Sequence, residues 1–407
     1  MNNGAWLDPT LVAAIAALTS LTGRSLLAGC MLVRLHRPPP PQLEALLPIS
    51  VLKPLCGVDE GLLDNLRSLA TQDYPGGFEL VLGVTDPADP ALAVARRLQR
   101  EHPEVPMSIV VGSPGAAINP KVANLVGITR AARHELLLVS DSNVRVGPDY
   151  LRRMAAELAQ PGVALVGNLI AGDHERGAGG VLESLQLNGY IAGSICGGAT
   201  LLGHVCVIGK SMLMRRGDLE RLGGWAAFGD VLGEDYVLGQ SFVRAGLGVT
   251  ISSYVVRTVV GRWSTTRFVQ RHLRWAQMRR WIAPRAFVLE PLLSPTPWLL
   301  TLAWCATLHD GARGASADAG GLLAVLGLAW ALLLEALQSR ALRGRVPSWR
   351  ELAWVPFKDL AMIAIWAMAW TRRSVAWRGH EYRIGRGSRL TPVDRVGTRA
   401  VAGAGGS

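Results

Sequence analysis

The most apolar segments of this chain lie at its two ends, on either side of a segment of mixed polarity. Three blocks, residues 6–33, 286–308 and 320–337, match or approach the ~20 residues that cross a bilayer as a helix. A further block, residues 352–370, is interrupted by a proline and two charged residues, so it either spans or re-enters the membrane. A buried core helix has the same pattern, but several such blocks together favour a membrane protein.

The charges around the first block predict its orientation. No lysine or arginine precedes it, whereas Arg34 and Arg37 follow it, and basic residues collect on the cytoplasmic side. A cleaved signal peptide would have the opposite order. We therefore predict an anchor at residues 1–37, a cytoplasmic domain at 38–285, a membrane region at 286–371 and a basic tail at 372–407. The alanine-, arginine- and glycine-rich composition suggests a bacterial inner membrane.

Arginines in and after the membrane blocks raise a question of topology. If residues 352–370 span fully, the six arginines between residues 371 and 389 lie outside, against the usual distribution of charge. The topology after residue 345 therefore stays open. We expect Arg24, within the first block, and the tail arginines to contact lipid headgroups.

Composition excludes several classes of protein. The net charge is +11, from 42 Lys+Arg and 31 Asp+Glu, and 49% of residues are hydrophobic. A disordered chain would contain fewer apolar residues, and a nucleic-acid-binding protein is not usually so hydrophobic. Only four of the basic residues are lysines, so most of the charge belongs to arginine, which suits phosphate oxygens and anionic headgroups. The five cysteines show no metal-ligand spacing.

The segment from residue 48 to residue 254 has the pattern of an α/β domain. Candidate strands lie at residues 49–52, 78–84, 107–111 and 135–140, and candidate helices at 59–71, 91–100, 121–133 and 236–245. Strands that alternate with helices predict a mostly parallel sheet, and such sheets bind ligands at the carboxyl ends of their strands.

Acidic residues follow two of these strands. Asp141 opens an Asp-Ser-Asn tripeptide after residue 140, where a carboxylate can hold Mg²⁺ or Mn²⁺ against a diphosphate; an Asx-turn is the alternative. Asp86 and Asp89 follow the strand at residues 78–84, where they can accept hydrogen bonds from a nucleoside or cap the next helix.

Two later motifs complete the candidate site. In Glu234-Asp235, one carboxylate is a candidate general base, although adjacent acids also favour a helix N-terminus. Arg271, Arg274 and Trp275 share one face of a candidate helix at residues 271–285, which offers guanidinium groups and a flat ring; a basic interfacial helix is the alternative.

The order of these motifs resembles the membrane-bound inverting glycosyltransferases of the "D, D, D, (Q/R)xxRW" group, and within it the ceramide glucosyltransferases. The resemblance covers about residues 48–285. The matching positions are Lys53-Pro54-Leu55, Gly57, Asp59, Asn65-Leu66, Asp73-Tyr74-Pro75, Asp89-Pro90-Ala91, Ile118-Asn119-Pro120-Lys121, Asn124-Leu125, Asp141-Ser142, Arg145-Val146, Pro148-Asp149, Cys206-Val207, Gly209, Ser211, Leu213-Met214-Arg215, Gly223-Gly224 and Glu234-Asp235-Tyr236.

The resemblance implies a nucleotide-diphospho-sugar transferase fold of the GT-A type, an α/β fold with N- and C-terminal transmembrane helices. It implies that Asp235 is the base, that Asp141 holds the divalent cation, and that Arg274 stabilises the leaving diphosphate. The remaining donor-binding residues are then Asp86, Asp89, Lys121, Arg271 and Trp275. The sequence departs from the family in its Asp-Ser-Asn motif and in a second tetrad, Gln277…Arg280-Trp281.

The predicted function is transfer of a sugar from a UDP-sugar, most simply UDP-glucose, to the hydroxyl of a membrane lipid such as ceramide, with inversion. A hopanoid polyol N-acetylglucosaminyltransferase, a processive polysaccharide synthase and a non-enzymatic transporter or scaffold are the alternatives. The expected partners are the donor, the lipid and the bilayer, with no nucleic acid. The loop at residues 224–233, with Trp225 and Phe228, is either the rim of an acceptor entrance or an ordinary packed loop.

Overall fold

The computed structural model of the chain describes residues 8–41, 43, 45–112, 117–313, 319–377 and 380–393. Trp6, Arg378 and the chain end at residues 401–407, which the sequence predicts to be disordered, lie outside the described residues. Residues 314–318 of the predicted polar loop between two apolar blocks also lie outside them.

The first apolar block is a single helix, α1 (Pro9–Leu35). Asp8 accepts a hydrogen bond from the Thr10 backbone N–H at 2.8 Å, and Pro9 occupies the first turn, where a missing N–H costs nothing. The helix is long and apolar enough to cross a bilayer, which confirms the predicted N-terminal membrane helix.

We call the part of the chain between α1 and the apolar helices that begin at Pro284 the central domain. Its strands are β1 (Ile49–Leu55), β2 (Phe78–Val84), β3 (Met107–Val111), β4 (Leu136–Ser140), β5 (Val144–Arg145), β6 (Val163–Arg176), β7 (Ser211–Arg215) and β8 (Gly248–Arg262). They form one eight-stranded sheet in the order β3-β2-β1-β4-β7-β6-β8-β5. Strands β3, β2, β1 and β4 run parallel to one another, as do β6 and β8. β1 is buried along its whole length because helices cover both faces of the sheet.

Helices pack against both faces of this sheet. The helices of the central domain before residue 245 are α2 (Leu62–Ala70), α3 (Ala91–Glu101), α4 (Pro120–Ala131), α5 (Tyr150–Leu158), α6 (Gly177–Gln186), α7 (Ala192–Leu201), α8 (Arg216–Arg221) and α9 (Glu234–Arg244). One apolar core lies between one face of the sheet and helices α2, α3 and α5. A second core lies between the other face and helices α4, α8 and α9.

The loop at residues 224–233 does not present its aromatic side chains to a substrate entrance. Trp225 and Phe228 are both buried in the core beside α4 and α9. Burying two large apolar rings in a packed core lowers the free energy more than leaving them partly exposed to water at the rim of an entrance. The packed-loop alternative is therefore the right one, and the predicted role of the two rings at an acceptor entrance is wrong.

Between α6 and α7 the chain forms a short π-helix, Leu187–Ile191, so that residues 177–201 make one helical segment. This segment packs against the anchor. A Cβ atom added at Gly197 would meet Leu27 Cδ2 of α1, so a larger residue there would displace the Leu27 side chain. The central domain is thus fastened directly to its membrane helix.

Beyond β8 the chain continues in helices. A bend of 51° separates Pro284–Leu293 from Pro295–Leu308, the two parts of the block predicted as one span. Two further helices, Ala319–Arg343 and Trp349–Thr371, are long and apolar enough to cross a bilayer. The helices are α10 (Thr265–Ile282), α11 (Pro284–Leu289), α12 (Pro295–Arg313), α13 (Ala319–Arg343), α14 (Trp349–Leu352) and α15 (Val355–Thr371).

Charged residues inside these apolar helices pair with one another. Arg24 Nη2 lies 2.5 Å from Glu335 Oε1, Lys358 Nζ lies 2.6 Å from the same oxygen, and all three residues are buried. Asp359 Oδ2 accepts a hydrogen bond from Thr296 Oγ1 at 2.7 Å. The prediction that Arg24 contacts lipid headgroups is therefore wrong, because a charge within the bundle is stabilised by a buried partner.

The tail returns to the central domain. It forms a small antiparallel sheet from β9 (Ser374–Trp377), β10 (His380–Ile384) and β11 (Leu390–Pro392). The Leu232 backbone N–H donates to Ser388 O at 2.9 Å, and the Gly233 N–H to Ser388 Oγ at 3.0 Å. What the sequence indicated only as a basic tail is thus, in its described part, a folded sheet against the loop that precedes α9.

Candidate active site

The candidate site lies at the edge of the sheet where β1, β2 and β4 end. Asp141, the first residue after β4, lies between two ammonium groups: Lys121 Nζ is 2.9 Å from Oδ1 and Lys210 Nζ is 3.0 Å from Oδ2. Burial alone would raise the pKa of Asp141, but these two lysines outweigh burial and hold the pKa below its ordinary value. Asp141 is therefore ionised throughout the physiological range.

A third lysine lies directly beneath this pair. Lys53 is fully buried in β1, and its ammonium donates to Asp141 O at 2.5 Å and to Ser140 Oγ at 3.3 Å. Burial lowers the pKa of Lys53 to about 7, although Asp141 favours its charged form. The sequence prediction left Lys53 and Lys210 out of the site. The signal was available for Lys53, because a lysine within an apolar strand needs a buried partner.

Lys121 stands among oxygen atoms from three parts of the chain. Its ammonium lies 2.9 Å from Asp141 Oδ1, 2.9 Å from Glu234 Oε1 and 3.3 Å from Gly209 O. Burial opposes its charge, but the carboxylates, including Asp235, prevail and raise the pKa of Lys121 above its ordinary value. The start of α4 holds this lysine in place, since Asn119 accepts hydrogen bonds from the Lys121 and Val122 N–H groups.

Asp235 is in the first turn of α9, with its carboxylate turned toward the loop before β7. Oδ2 accepts the Gly209 backbone N–H at 2.5 Å, and Oδ1 accepts the Tyr236 N–H at 2.8 Å. Burial, and then the charge of Glu234, raise the pKa of Asp235 to about 6, while Lys121 opposes the change. A carboxylate with a raised pKa is a stronger base than an exposed one.

Asp86 and Asp89 follow β2, as predicted. Asp89 accepts hydrogen bonds from the Gly57 N–H at 2.9 and 3.0 Å and from the Ala91 N–H at 2.8 Å. Asp89 therefore joins the loop after β1 to the start of α3. Asp86 is exposed and accepts the Ala88 N–H at 2.8 Å. These contacts support the capping alternative for Asp89 and a local turn for Asp86, and a role for either in holding a donor stays a prediction.

The predicted basic helix is α10, which begins at Thr265, earlier than expected. Its first tetrad, which contains Arg271, Arg274 and Trp275, is bound by a buried acid. Arg271 Nε lies 3.0 Å from Glu183 Oε1, and His272 Nε2 lies 2.7 Å from Glu183 Oε2. The Arg271 guanidinium also lies 4.3 Å from the centroid of the Trp275 ring. The sequence prediction missed Glu183, on α6, because only the tertiary structure brings it beneath α10. Arg274 is half-buried on the same helix.

The polar side chains of the second tetrad, Gln277…Arg280-Trp281, bind the C-terminal segment of the chain. Gln277 Nε2 donates to Arg372 O at 3.2 Å and to Ser374 O at 2.8 Å, and Arg280 Nη1 donates to Ala369 O at 2.7 Å. Its polar groups are therefore committed to the C-terminal segment. This leaves the tetrad of Arg271, Arg274 and Trp275, the one chosen from the sequence, as the candidate for contact with a ligand.

The donor atoms at this edge fit a hard divalent cation. In the described part of the chain, no three His, Cys, Asp or Glu side chains form a ready metal cluster. The three oxygens around the Lys121 ammonium, from Asp141, Glu234 and Gly209, are nevertheless the ligand type that Mg²⁺ and Mn²⁺ prefer. A cation that binds there replaces the lysine ammonium.

Two ceramide glucosyltransferases of Caenorhabditis elegans are similar to this chain in sequence. Ceramide glucosyltransferase 1 of Caenorhabditis elegans is 31% identical over 266 residues, which are 64% of this chain and 55% of that protein. Ceramide glucosyltransferase 3 of the same organism is 25% identical over 348 residues, 84% of this chain and 74% of the relative. The chain thus matches little more than half the length of the first relative.

A solved structure has the same fold. A mannosyltransferase from Pyrobaculum calidifontis in complex with GDP-Man and Mn²⁺ superposes with a TM-score of 0.53 at 19% identity, over 89% of this chain and 99% of that one. The predicted GT-A type α/β fold with N- and C-terminal apolar helices is confirmed. The sequence model of glycosyl transferase family 21 matches residues 10–390, from the anchor to the C-terminal sheet, and the protein belongs to that family.

Proposed function

We propose that this protein transfers glucose from UDP-glucose to the primary hydroxyl of ceramide or a closely similar lipid, with inversion at the anomeric carbon. One observation carries the proposal: a half-buried carboxylate of raised pKa, Asp235, shares one sheet edge with the ammonium groups of Lys53, Lys121 and Lys210. Lysines suit a diphosphate leaving group, and a basic carboxylate suits a hydroxyl nucleophile. The names of the two nematode relatives support the choice of lipid and sugar.

The donor end of the site neutralises the diphosphate. Lys121 and Lys210 now neutralise Asp141, and both ammonium groups can turn to phosphate oxygens without leaving the sheet edge. Arg271 and Arg274, on α10, add guanidinium groups for the charge that develops on the leaving UDP. Asp89, between the ends of β1 and β2, is the proposed contact of the nucleoside.

The acceptor end supplies a base. Asp235 accepts the proton of the lipid hydroxyl as that oxygen attacks the anomeric carbon from the face opposite the diphosphate. The Gly209 and Tyr236 N–H groups fix the carboxylate, so it needs no reorientation in the transition state. UDP is a good leaving group once its charge is neutralised, and no separate general acid is required.

A divalent cation completes the proposed site. Asp141, with Glu234 beside it, would hold Mn²⁺ or Mg²⁺, which supplies electrostatic stabilisation of the diphosphate. The Mn²⁺ complex of the mannosyltransferase of similar fold supports this assignment. Lys121 then has to move away from the two carboxylates, toward the donor.

Contacts of the C-terminal region support a topology in which α1 crosses the bilayer and α12 and α13 cross as a hairpin. At the start of the segment formed by α14 and α15, Arg345 pairs with Glu175 of β6 and with Glu351 of α14. At its end, Arg372 O accepts a hydrogen bond from Gln277 of α10. Both of its ends thus contact the central domain, which favours re-entry over crossing. In this topology the folded tail and the central domain lie on the cytoplasmic side of the membrane, together with Arg34 and Arg37. In bacteria that membrane is the inner membrane.

The test is a product assay. Membranes that contain the full chain are incubated with radiolabelled UDP-glucose, UDP-galactose or UDP-N-acetylglucosamine, together with ceramide or a hopanoid polyol, and the lipids are separated. We expect a labelled β-glucoside of ceramide. Label in the hopanoid would favour the N-acetylglucosaminyltransferase alternative, and a polymer would favour a polysaccharide synthase. Label in none of these products would overturn the proposal.

A further inference from the structure

The C-terminal tail binds the entry segment, residues 230–233, which leads directly into α9 and the proposed base. Ser388 makes two of the contacts: its carbonyl oxygen accepts from the Leu232 N–H at 2.9 Å, and its hydroxyl accepts from the Gly233 N–H at 3.0 Å. The Leu390 N–H donates to the carbonyl oxygen of the first residue of the segment at 2.7 Å. Three hydrogen bonds from the tail thus hold the backbone just before α9.

Ser388 is held in an unfavourable backbone conformation. Its φ is 63°, in the left-handed region that residues other than glycine rarely adopt, and its side chain is fully buried. The turn between β10 and β11 closes around it, because the Gly385 N–H donates to Arg389 O at 2.8 Å and the Ser388 N–H to Gly385 O at 3.1 Å. Strain of this kind persists only where the surrounding structure imposes it, and it collects at functional sites.

The cap of α4 binds the same entry segment. Asn119 Nδ2 donates to Val231 O at 2.7 Å and to Glu234 Oε2 at 3.2 Å. Asn119 Oδ1 also accepts the Lys121 N–H, as described above. The entry segment is therefore bound both by the tail and by the residue that holds Lys121, and these two sets of contacts fix the start of α9, where Glu234 and Asp235 lie.

Apolar packing adds to these hydrogen bonds. Leu232 of the entry segment is buried in a cluster with four residues of the tail: Val375, Tyr382, Ile384 and Leu390. Met278 of α10 packs against this cluster. The tail thus contacts two of the elements that carry the candidate site, α9 through the entry segment and α10 directly.

We propose that Ser388 is a positioning residue for the transfer reaction: through Gly233 it fixes the start of α9, and so it holds the Asp235 carboxylate in the orientation that catalysis requires. The inference rests on the proposed function, because Asp235 has to be the base. It gives the C-terminal tail a part in the reaction that the proposed mechanism leaves unassigned. A displacement of about 1 Å at a reacting group can lower a rate by roughly a hundredfold.

The test removes the Ser388 hydroxyl in two ways. Ser388→Ala keeps a side chain at a φ of 63°, whereas Ser388→Gly suits this φ and so protects the fold of the tail. Thr391→Ala is the matched control, because Thr391 is an exposed residue of β11 that loses the same hydroxyl group. All three variants are made in the full-length protein and assembled into nanodiscs that contain ceramide.

A positioning role separates kcat from donor binding. We expect both Ser388 variants to lose at least fivefold in kcat for glucose transfer, while the Kd for UDP-glucose, measured by calorimetry, stays within about twofold. Thr391→Ala should change neither. A purely structural role would lower activity in proportion to the loss of melting temperature, whereas Ser388→Gly should lose kcat although it melts no earlier than Ser388→Ala. Wild-type kcat in either Ser388 variant would overturn the proposal.

Hydrogen exchange followed by mass spectrometry tests the start of α9 without any transfer. We expect the amides of residues 230–237 to exchange at least fivefold faster in both Ser388 variants than in the wild type and in Thr391→Ala. Equal exchange in all four proteins would overturn the proposal even if glucose transfer occurs. If exchange accelerates but the wild type glucosylates no lipid, the proposed function fails while the role of Ser388 in fixing α9 stands.

Discussion

Replacing Asp235 with asparagine separates the effect of this carboxylate on catalysis from its effect on the stability of the protein. The folded environment raises the pKa of this carboxyl from 3.8 to about 6, through burial and the charge of Glu234, with Lys121 in opposition. At 1.36 kcal/mol per pKa unit, the ionised carboxylate costs the folded state ~3 kcal/mol at neutral pH relative to an unperturbed one. This cost is absent below pH 3.8, grows as the pH rises, and is complete above pH 6.

Asparagine keeps the shape of the side chain and one oxygen acceptor, but it cannot become charged or accept the proton. Loss of a general base lowers kcat by roughly 10²–10⁴, which corresponds to ~3–5 kcal/mol in the transition state. We therefore expect Asp235→Asn to lose at least a hundredfold in kcat and to melt at a higher temperature than the wild type at pH 7.5. The wild-type kcat should fall about tenfold per pH unit below pH 6.

The assay compares glucose transfer, UDP-glucose binding and thermal unfolding of the purified protein between pH 5 and pH 8. Glu234→Gln is the control, because it removes the neighbouring charge but leaves Asp235 in place. Its acid limb should move to lower pH, since Glu234 contributes to the raised pKa of Asp235. Substantial turnover in Asp235→Asn, or an unchanged acid limb in Glu234→Gln, would refute the reasoning.

Three further predictions concern the donor edge and the tail. EDTA should stop transfer and Mn²⁺ or Mg²⁺ should restore it, whereas Asp141→Asn should not respond; full activity in chelator would remove Asp141 from a metal role. Lys121→Met removes the ammonium between Asp141 and Glu234, so Mn²⁺ should bind the donor-free protein about tenfold more tightly by electron paramagnetic resonance, while UDP-glucose binds more weakly. Gln277→Leu removes two hydrogen bonds to the tail, at about 1 kcal/mol each, and should accelerate tryptic cleavage after Arg372 without changing the Kd for UDP-glucose.

Local pattern was enough to predict the first half of the sheet. Phe78–Val84 and Met107–Val111 have the bounds expected from the sequence, because short runs of apolar residues between turn signals are typical of strands. The first of these strands is buried, and the second is the partly exposed edge of the sheet. The long strands Val163–Arg176 and Gly248–Arg262 were not predicted. They contain polar residues that interrupt the apolar pattern, and they pair with each other and, for Val163–Arg176, with β7, across long separations in sequence.

The sequence by itself determined the class of the protein, the central α/β domain, the order of the acidic motifs and the likeness to lipid glucosyltransferases. These properties depend on hydrophobic periodicity and on short motifs, which act over a few residues. Only the tertiary structure decided which lysines surround Asp141, that Glu183 holds the first tetrad while the second binds the tail, and that Arg24 pairs with Glu335. Each of these is a contact between residues distant in sequence, and a buried charge is stable only where the fold brings it a partner.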